Sequence, residues 1–125
     1  MNDQPIRVLM VDDNAELINV VREAMDLLGV KVDGALSAQG AIAQLARDDG
    51  YDVVFSDVFM PNGMSGVQLL QMLAVSNPDM RTVLTSGFPK EQLPPLPEGV
   101  TFVAKPYNFT LLLEAFRREA GTPTH

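Results

Sequence analysis

Apolar residues along the chain fall into two alternating rhythms, short unbroken runs and longer stretches with helical spacing. Ile6 to Val11, IRVLMV, alternates too little for a strand wetted on one face, so it predicts a parallel strand covered on both sides. In the next stretch, DDNAELINVVREAMDLLG, Leu17, Val20, Val21, Ala24 and Leu28 recur at helical spacing, Asn14 supplies an N-cap and Gly29 a stop. The unit then recurs. VKVDGA predicts a second strand, and Ser37 caps a helix through Ala41, Ile42 and Leu45. YDVVFS is a third strand; after the turn at Pro61, Asn62 and Gly63, Ser65 caps a helix that buries Val67, Leu70 and Leu73. RTVLTS is a fourth strand and VTFVAK a fifth, after which Asn108 caps a last helix with Leu111, Leu112, Ala115 and Phe116 on its inner side.

Short strands alternating with helices imply right-handed crossovers and a parallel sheet. The predicted fold is α/β, a doubly wound five-stranded parallel sheet with helices on both faces. Its irregular place is the fourth helix. FPKEQLPPLPEGV has room for one turn near Pro89 to Leu93 before Pro94, Pro95 and Pro97 forbid continuation, so a short helix or a rather rigid loop is expected over 88–99.

Composition narrows the function. A chain of 125 residues with 46% hydrophobic and 20% charged residues suits one soluble domain with its own core. Nine Lys and Arg stand against sixteen Asp and Glu, and a formal charge of -7 disfavours direct contact with nucleic acid. There is no cysteine, which removes disulfides, thiolate metal sites and cysteine nucleophiles. His125, the only histidine, ends the chain, so no His-based triad, His-rich metal site or internal phosphohistidine is expected. With no run of about 18 apolar residues and no basic, apolar leader, the expectation is a cytoplasmic protein without membrane insertion.

The polar residues supply the chemistry. In an open doubly wound sheet, ligands collect beyond the carboxyl ends of the strands. Asp12 and Asp13 follow the first strand, Asp57 the third, Thr85 and Ser86 end the fourth, and Lys105 follows the fifth. Carboxylates so close repel one another and raise at least one pKa, and a hard dication relieves that repulsion. Magnesium, which takes a few carboxylate or carbonyl oxygens and keeps several waters, suits Asp13 and Asp57. Asp57 can then attack phosphorus as a carboxylate nucleophile, and Lys105 with the hydroxyl ending the fourth strand can hold the phosphoryl oxygens. Singly, each residue has an ordinary explanation: Asp12 and Asp13 as dipole partners of the first helix, Lys105 as a solvated lysine, Ser86 as a turn residue. Independent accidents converging on one rim of the sheet explain them jointly far less well.

The same residues carry a resemblance over about 5–120. VDD at Val11 to Asp13, SDVFMPNGMSG at Ser56 to Gly66, TSG at Thr85 to Gly87 and KP at Lys105 and Pro106 stand in the order and spacing of the receiver domain of two-component response regulators. The chain resembles that family as a single domain spanning 1–125. The resemblance implies a flavodoxin-like strand order 2-1-3-4-5, with Asp57 as phosphoacceptor. It implies Asp13, Asp57 and the backbone carbonyl of Phe59 as magnesium ligands, Asp12 assisting through water, and Lys105 paired with the phosphoryl group. A cis bond before Pro106 also belongs to it.

Ser86, which directly precedes a small residue, fits the switch hydroxyl better than Thr85, and Phe102 takes the place of the switch aromatic. Phosphorylation would draw Ser86 toward the phosphoryl group and let Phe102 turn inward, altering the face of the fourth helix, fifth strand and last helix. Phenylalanine lacks the tyrosine hydroxyl often found there. The implied partners are a sensor histidine kinase or histidine phosphotransfer protein and a downstream protein target, with output by protein contact or onward phosphotransfer. MPNGMSG is one residue longer than the commonest short form and looks more like receivers of hybrid sensor kinases, whereas the initial Met and complete first strand favour a free-standing regulator.

Two other functions compete. A small phosphohydrolase with an Asp nucleophile needs a general acid, and the haloacid-dehalogenase-like phosphatases usually carry it two residues after the nucleophile, where this chain has Phe59. A non-phosphorylatable interaction module would be favoured by an incomplete acid pocket. A flavodoxin-like cofactor carrier shares the fold, but DDNAE after the first strand would repel a flavin phosphate.

Overall fold

The computed structural model describes residues 4–60 and 63–121. The alternating pattern becomes β1 (Ile6–Val11), α1 (Ala15–Leu27), β2 (Val30–Ala35), α2 (Ala38–Arg47), β3 (Val53–Asp57), α3 (Gly66–Ser76), β4 (Arg81–Ser86), β5 (Thr101–Ala104) and α4 (Phe109–Glu119). All strands are parallel and the sheet order is β2-β1-β3-β4-β5. The doubly wound expectation is met, with β3 one residue longer at its carboxyl end than YDVVFS suggested.

Alternate residues of each strand feed opposite faces, as the pleat requires. Val8 and Met10 of β1, Phe55 of β3 and Val83 of β4 meet α1 and α4 through Ile18, Val21, Met25, Leu112, Ala115 and Phe116. Leu9, Val11 and Val54 point the other way into α2 and α3, against Ala38, Ala41, Leu45, Leu69 and Leu73. Phe55 meets Phe116 edge to face at 5.4 Å and Tyr107 at 5.7 Å, contacts each worth about 0.5–1.5 kcal/mol beyond area burial.

Every predicted cap is made. The side chains of Asn14, Ser37, Ser65 and Asn108 accept the N–H of Leu17, Gly40, Gln68 and Leu111, and the Gln68 side-chain oxygen accepts the Ser65 N–H to complete a capping box. Two inner faces need correction. In α1 the buried stripe is Ile18, Val21 and Met25, while Val20 and Leu28 are exposed; in α4, Leu111 is exposed. Two apolar stripes run along α1, and the sheet selects the one that reaches Val8 and Val32. α3 also buries Leu69, which the expected face omitted.

Between β4 and β5 the prolines act as expected. Only a single 3-10 turn, Lys90–Gln92, forms. The segment still covers the sheet: Leu93, Leu96 and Val100 pack with Phe102 on Val58, Val67, Leu70 and Leu84. At the amino ends of the strands, Arg7 makes two bonds to Asp48 (2.7 and 3.2 Å) and lies 4.5 Å from the centre of the Tyr51 ring, whose hydroxyl donates to Asp33 at 2.7 Å. This network ties β1, β2 and the end of α2 at the edge opposite the polar rim.

Candidate functional site

The polar rim is built by the strand ends. Asp12, directly after β1, is 2% exposed; its N–H donates to the Ala35 carbonyl and its Oδ1 accepts the Asn14 N–H at 2.9 Å. Thus the loop that starts α1 also fixes a buried carboxylate. Asp57 closes β3, opposite Thr85 of β4. Lys105 follows β5, and its backbone N–H donates to the Ser86 carbonyl at 2.9 Å. The Lys105–Pro106 peptide bond is cis.

These elements bring three charged groups together. Lys105 Nζ stands 2.6 Å from Asp57 Oδ2 and 3.3 Å from Asp12 Oδ2. Burial works to lower the Lys105 pKa, but the hydrogen bond and charge of Asp57, with Asp12 behind them, outweigh it and hold the ammonium above its ordinary value. For Asp12 burial wins: its pKa is raised despite the Asn14 N–H and Lys105. The lysine compensates the two acids incompletely. Asp13 is exposed at the rim, beside this cluster rather than in it.

The hydroxyls are arranged differently. Thr85 and Ser86 are both 1% exposed. Ser86 Oγ accepts the N–H of Phe88 at 3.0 Å, so it is engaged in its own turn and not with Asp57. Thr85 Oγ1 and the Tyr107 hydroxyl are buried without a hydrogen-bond partner among the described residues. Burial pushes the Tyr107 phenol up to about 12, partly offset by Lys105. Phe102 is half-buried in the cluster beneath the proline-rich segment. Phe59 donates its N–H to Asp57 Oδ1 at 3.0 Å and turns its ring against Phe88.

A hard dication suits this donor set. Asp12, Asp13, Asp57 and the Phe59 carbonyl offer only oxygens, and the raised pKa of Asp12 marks a buried carboxylate that additional positive charge would stabilise. Among the described residues no three acids lie close enough to form a preformed cage, and Lys105 takes one oxygen each of Asp12 and Asp57. A magnesium ion that keeps most of its waters fits such a site better than a fully protein-coordinated one.

Residues 8–117 match the response regulator receiver domain. The chain belongs to that family. This receiver is 33% identical over 129 residues to the probable transcriptional regulatory protein TcrX of Mycobacterium tuberculosis, a match covering 97% of this chain and 53% of that protein. It is 28% identical to hybrid signal transduction histidine kinase L of Dictyostelium discoideum, covering 95% of this chain and 8% of the kinase. The receiver thus spans about half, or much less, of these curated relatives. Among solved structures it is similar to the signal receiver domain of an HD domain-containing protein from Pseudomonas fluorescens Pf-5, with TM-score 0.82, 24% identity and coverage of 96% and 89% of the two chains. It is also similar to the receiver domain of hybrid histidine kinase CckA, with TM-score 0.74, 26% identity and coverage of 91% and 98%.

The family makes this a domain for phosphorylation-dependent signalling in two-component systems. The strand order 2-1-3-4-5 is that of the receiver fold. Of the residues singled out in the sequence, the fold brings Asp12, Asp57 and Lys105 into contact, sets Asp13 at the rim, and keeps Ser86 and Phe102 on adjoining strands. Pro61, Asn62 and His125 lie outside the described residues, so the longer turn and the terminal histidine have no structural account. Sequence reasoning missed Tyr107 and Phe88. Phe88 left a trace, since it stands two residues after Ser86 as Phe59 stands two after Asp57, each just beyond the end of one of two neighbouring strands.

Proposed function

We propose that Asp57 is the phosphoacceptor of this receiver and that a histidine kinase or histidine phosphotransfer protein is the donor. The observation that carries the proposal is the approach of Lys105 Nζ to both Asp57 and Asp12 on one rim of the sheet. In the transfer, an Asp57 oxygen forms a bond to phosphorus as the phosphorus–nitrogen bond of the donor phosphohistidine breaks. The electron pair leaves with the imidazole. Lys105, already held at Asp57 Oδ2, pairs with the phosphoryl oxygens, and Ser86 supplies a hydroxyl from the end of β4.

Magnesium would be held by Asp13, Asp57 and the Phe59 carbonyl, with Asp12 acting through water; when bound it neutralises charge on the acids and the incoming phosphoryl group. Beside Lys105 an apolar hollow of about 460 Å³, lined by Leu17, Gly87, Pro106, Tyr107 and Phe109, gives a donor protein a surface to cover near the rim. The acyl phosphate later hydrolyses slowly at the same site. We read the chain as one receiver domain that acts in the cytoplasm by protein contact or onward phosphotransfer, without touching nucleic acid.

The phosphohydrolase reading is poorly supported. It needs a proton donor two residues beyond Asp57, where the Phe59 ring faces Phe88. The test is incubation with magnesium and a small acyl phosphate, followed by intact mass, for wild type and Asp57→Asn. One labile phosphoryl group is expected on wild type alone. Failure with both a small donor and a competent kinase would overturn the proposal in favour of a non-phosphorylatable interaction module.

A further inference from the structure

Phe59 and Phe88 are 43% and 55% exposed, yet their rings meet edge to face with centroids 5.2 Å apart. Rings so open to solvent gain little from burial, so the contact depends on how their backbones are held. Both backbones are tied to the site. Phe59 donates its N–H to Asp57 Oδ1 and Phe88 donates its N–H to Ser86 Oγ, each at 3.0 Å. The two turns run side by side because β3 and β4 are neighbours with Asp57 opposite Thr85, and Val58 donates to the Thr85 carbonyl at 2.8 Å.

Both tethers use atoms that a phosphoryl group on Asp57 would claim. Conversion to an acyl phosphate changes the Asp57 carboxylate, and a Ser86 hydroxyl drawn toward the phosphoryl oxygens moves away from the Phe88 N–H. Gly87 lies between Ser86 and Phe88, and a side chain there would meet nothing within 4 Å, so the segment has room to move.

We propose that the Phe59–Phe88 pair is a surface latch, closed by unphosphorylated Asp57 and Ser86 and opened when phosphorylation takes the Ser86 hydroxyl. The proposal rests on the reading of Asp57 as phosphoacceptor. Its consequence differs from the movement of Phe102, since a ring is released on the rim itself, near the hollow beside Lys105 that a donor would cover. Opening turns the chemical state of Asp57 into a change of exposed aromatic surface.

The test uses the full chain, isotope-labelled, and reads two quantities by NMR: the ring-to-ring cross-peak of Phe59 with Phe88 and the exchange rate of the Phe88 N–H. In unphosphorylated protein, Ser86→Ala should weaken the cross-peak and speed exchange roughly five- to tenfold, the effect of losing one hydrogen bond, while Ser86→Thr keeps both near wild type. A Ser86→Ala protein with an intact fold and unchanged cross-peak and exchange overturns the latch. In wild type treated with magnesium and acetyl phosphate, the cross-peak should fall in proportion to the phosphorylated fraction found by intact mass. Full phosphorylation with the rings still in contact overturns the latch and leaves Asp57 as phosphoacceptor. No phosphoryl gain from acetyl phosphate or from a competent histidine kinase overturns the phosphoacceptor reading and the trigger with it, while the Ser86 variants still decide what holds the rings.

Discussion

Replacing Lys105 by methionine removes the ammonium that stands between Asp57 and Asp12 while keeping an unbranched apolar stem in place. Loss of one member of a buried pair costs about 3–5 kcal/mol because the other charge is left uncompensated. Here the lysine side chain is 25% exposed and Asp57 12%, against 2% for Asp12, so water screens part of the loss. Exposed pairs are worth about 0–1 kcal/mol, and about 2 kcal/mol is expected for this intermediate case. With roughly 3–6 °C per kcal/mol for a chain of this length, Tm falls by roughly 6–12 °C. The assay is thermal unfolding at neutral pH without magnesium, for Lys105→Met alone and combined with Asp12→Asn. If the buried carboxylate is the source of the cost, the second substitution recovers much of the loss, because the Asn side-chain oxygen still accepts from the Asn14 N–H. An unchanged Tm in Lys105→Met, or a double variant less stable than Lys105→Met, refutes the reasoning.

Two further predictions concern the frame around the site. A Cβ on Gly66 would overlap the Asp57 carbonyl oxygen and sit 2.9 Å from Ser56 Oγ, so Gly66→Ala should cost about 1–3 kcal/mol as overpacking and slow phosphoryl uptake by shifting Asp57; wild-type Tm and uptake in that variant would contradict the close approach. The Arg7 hydrogen bonds hold the Asp48 carboxyl down to about 2, below its ordinary 3.8, so this pair stabilises the fold above the unfolded value and the contribution is lost as pH falls through about 2. The Tm difference between wild type and Asp48→Asn should therefore be present near about pH 6 and close on acidification toward pH 2; a difference independent of pH would refute it.

Much of this architecture was legible because it is specified locally. Asn14, Ser37, Ser65 and Asn108 each satisfy an N–H within three residues, and IRVLMV and RTVLTS mark their strands to the residue. The acid rim was legible for a different reason, since a parallel sheet delivers every strand end to one edge. The α1 face was not, because Leu17, Val20, Ala24 and Leu28 form an apolar stripe at helical spacing beside that of Ile18, Val21 and Met25, and only contact with β1 and β2 decides between stripes. Gly66 against Asp57, Arg7 on Tyr51 and Phe59 on Phe88 depend on atoms brought together by tertiary folding. Ser86 was found as a residue, but its bond to Phe88 was not, since a strand-end hydroxyl is equally able to reach into the site or back into its own turn.

The proline-rich segment bears on how this receiver responds. A helix between β4 and β5 would move as a rigid cylinder, carrying a displacement of its first turn along its whole length. Here Leu93, Leu96 and Val100 cover Leu84 and Leu70 from an irregular chain with a single 3-10 turn, and Pro89, Pro94, Pro95 and Pro97 each fix φ near about -65°. The segment therefore resists bending within itself but has no continuous hydrogen-bond ladder to transmit a shift. Between Ser86 and Pro89 stand only Gly87, which has open space around it, and the exposed Phe88. Were Ser86 to move toward Asp57 as proposed, Gly87 and Phe88 would absorb the shift before it reached the prolines and would concentrate the response on the aromatic pair at the rim.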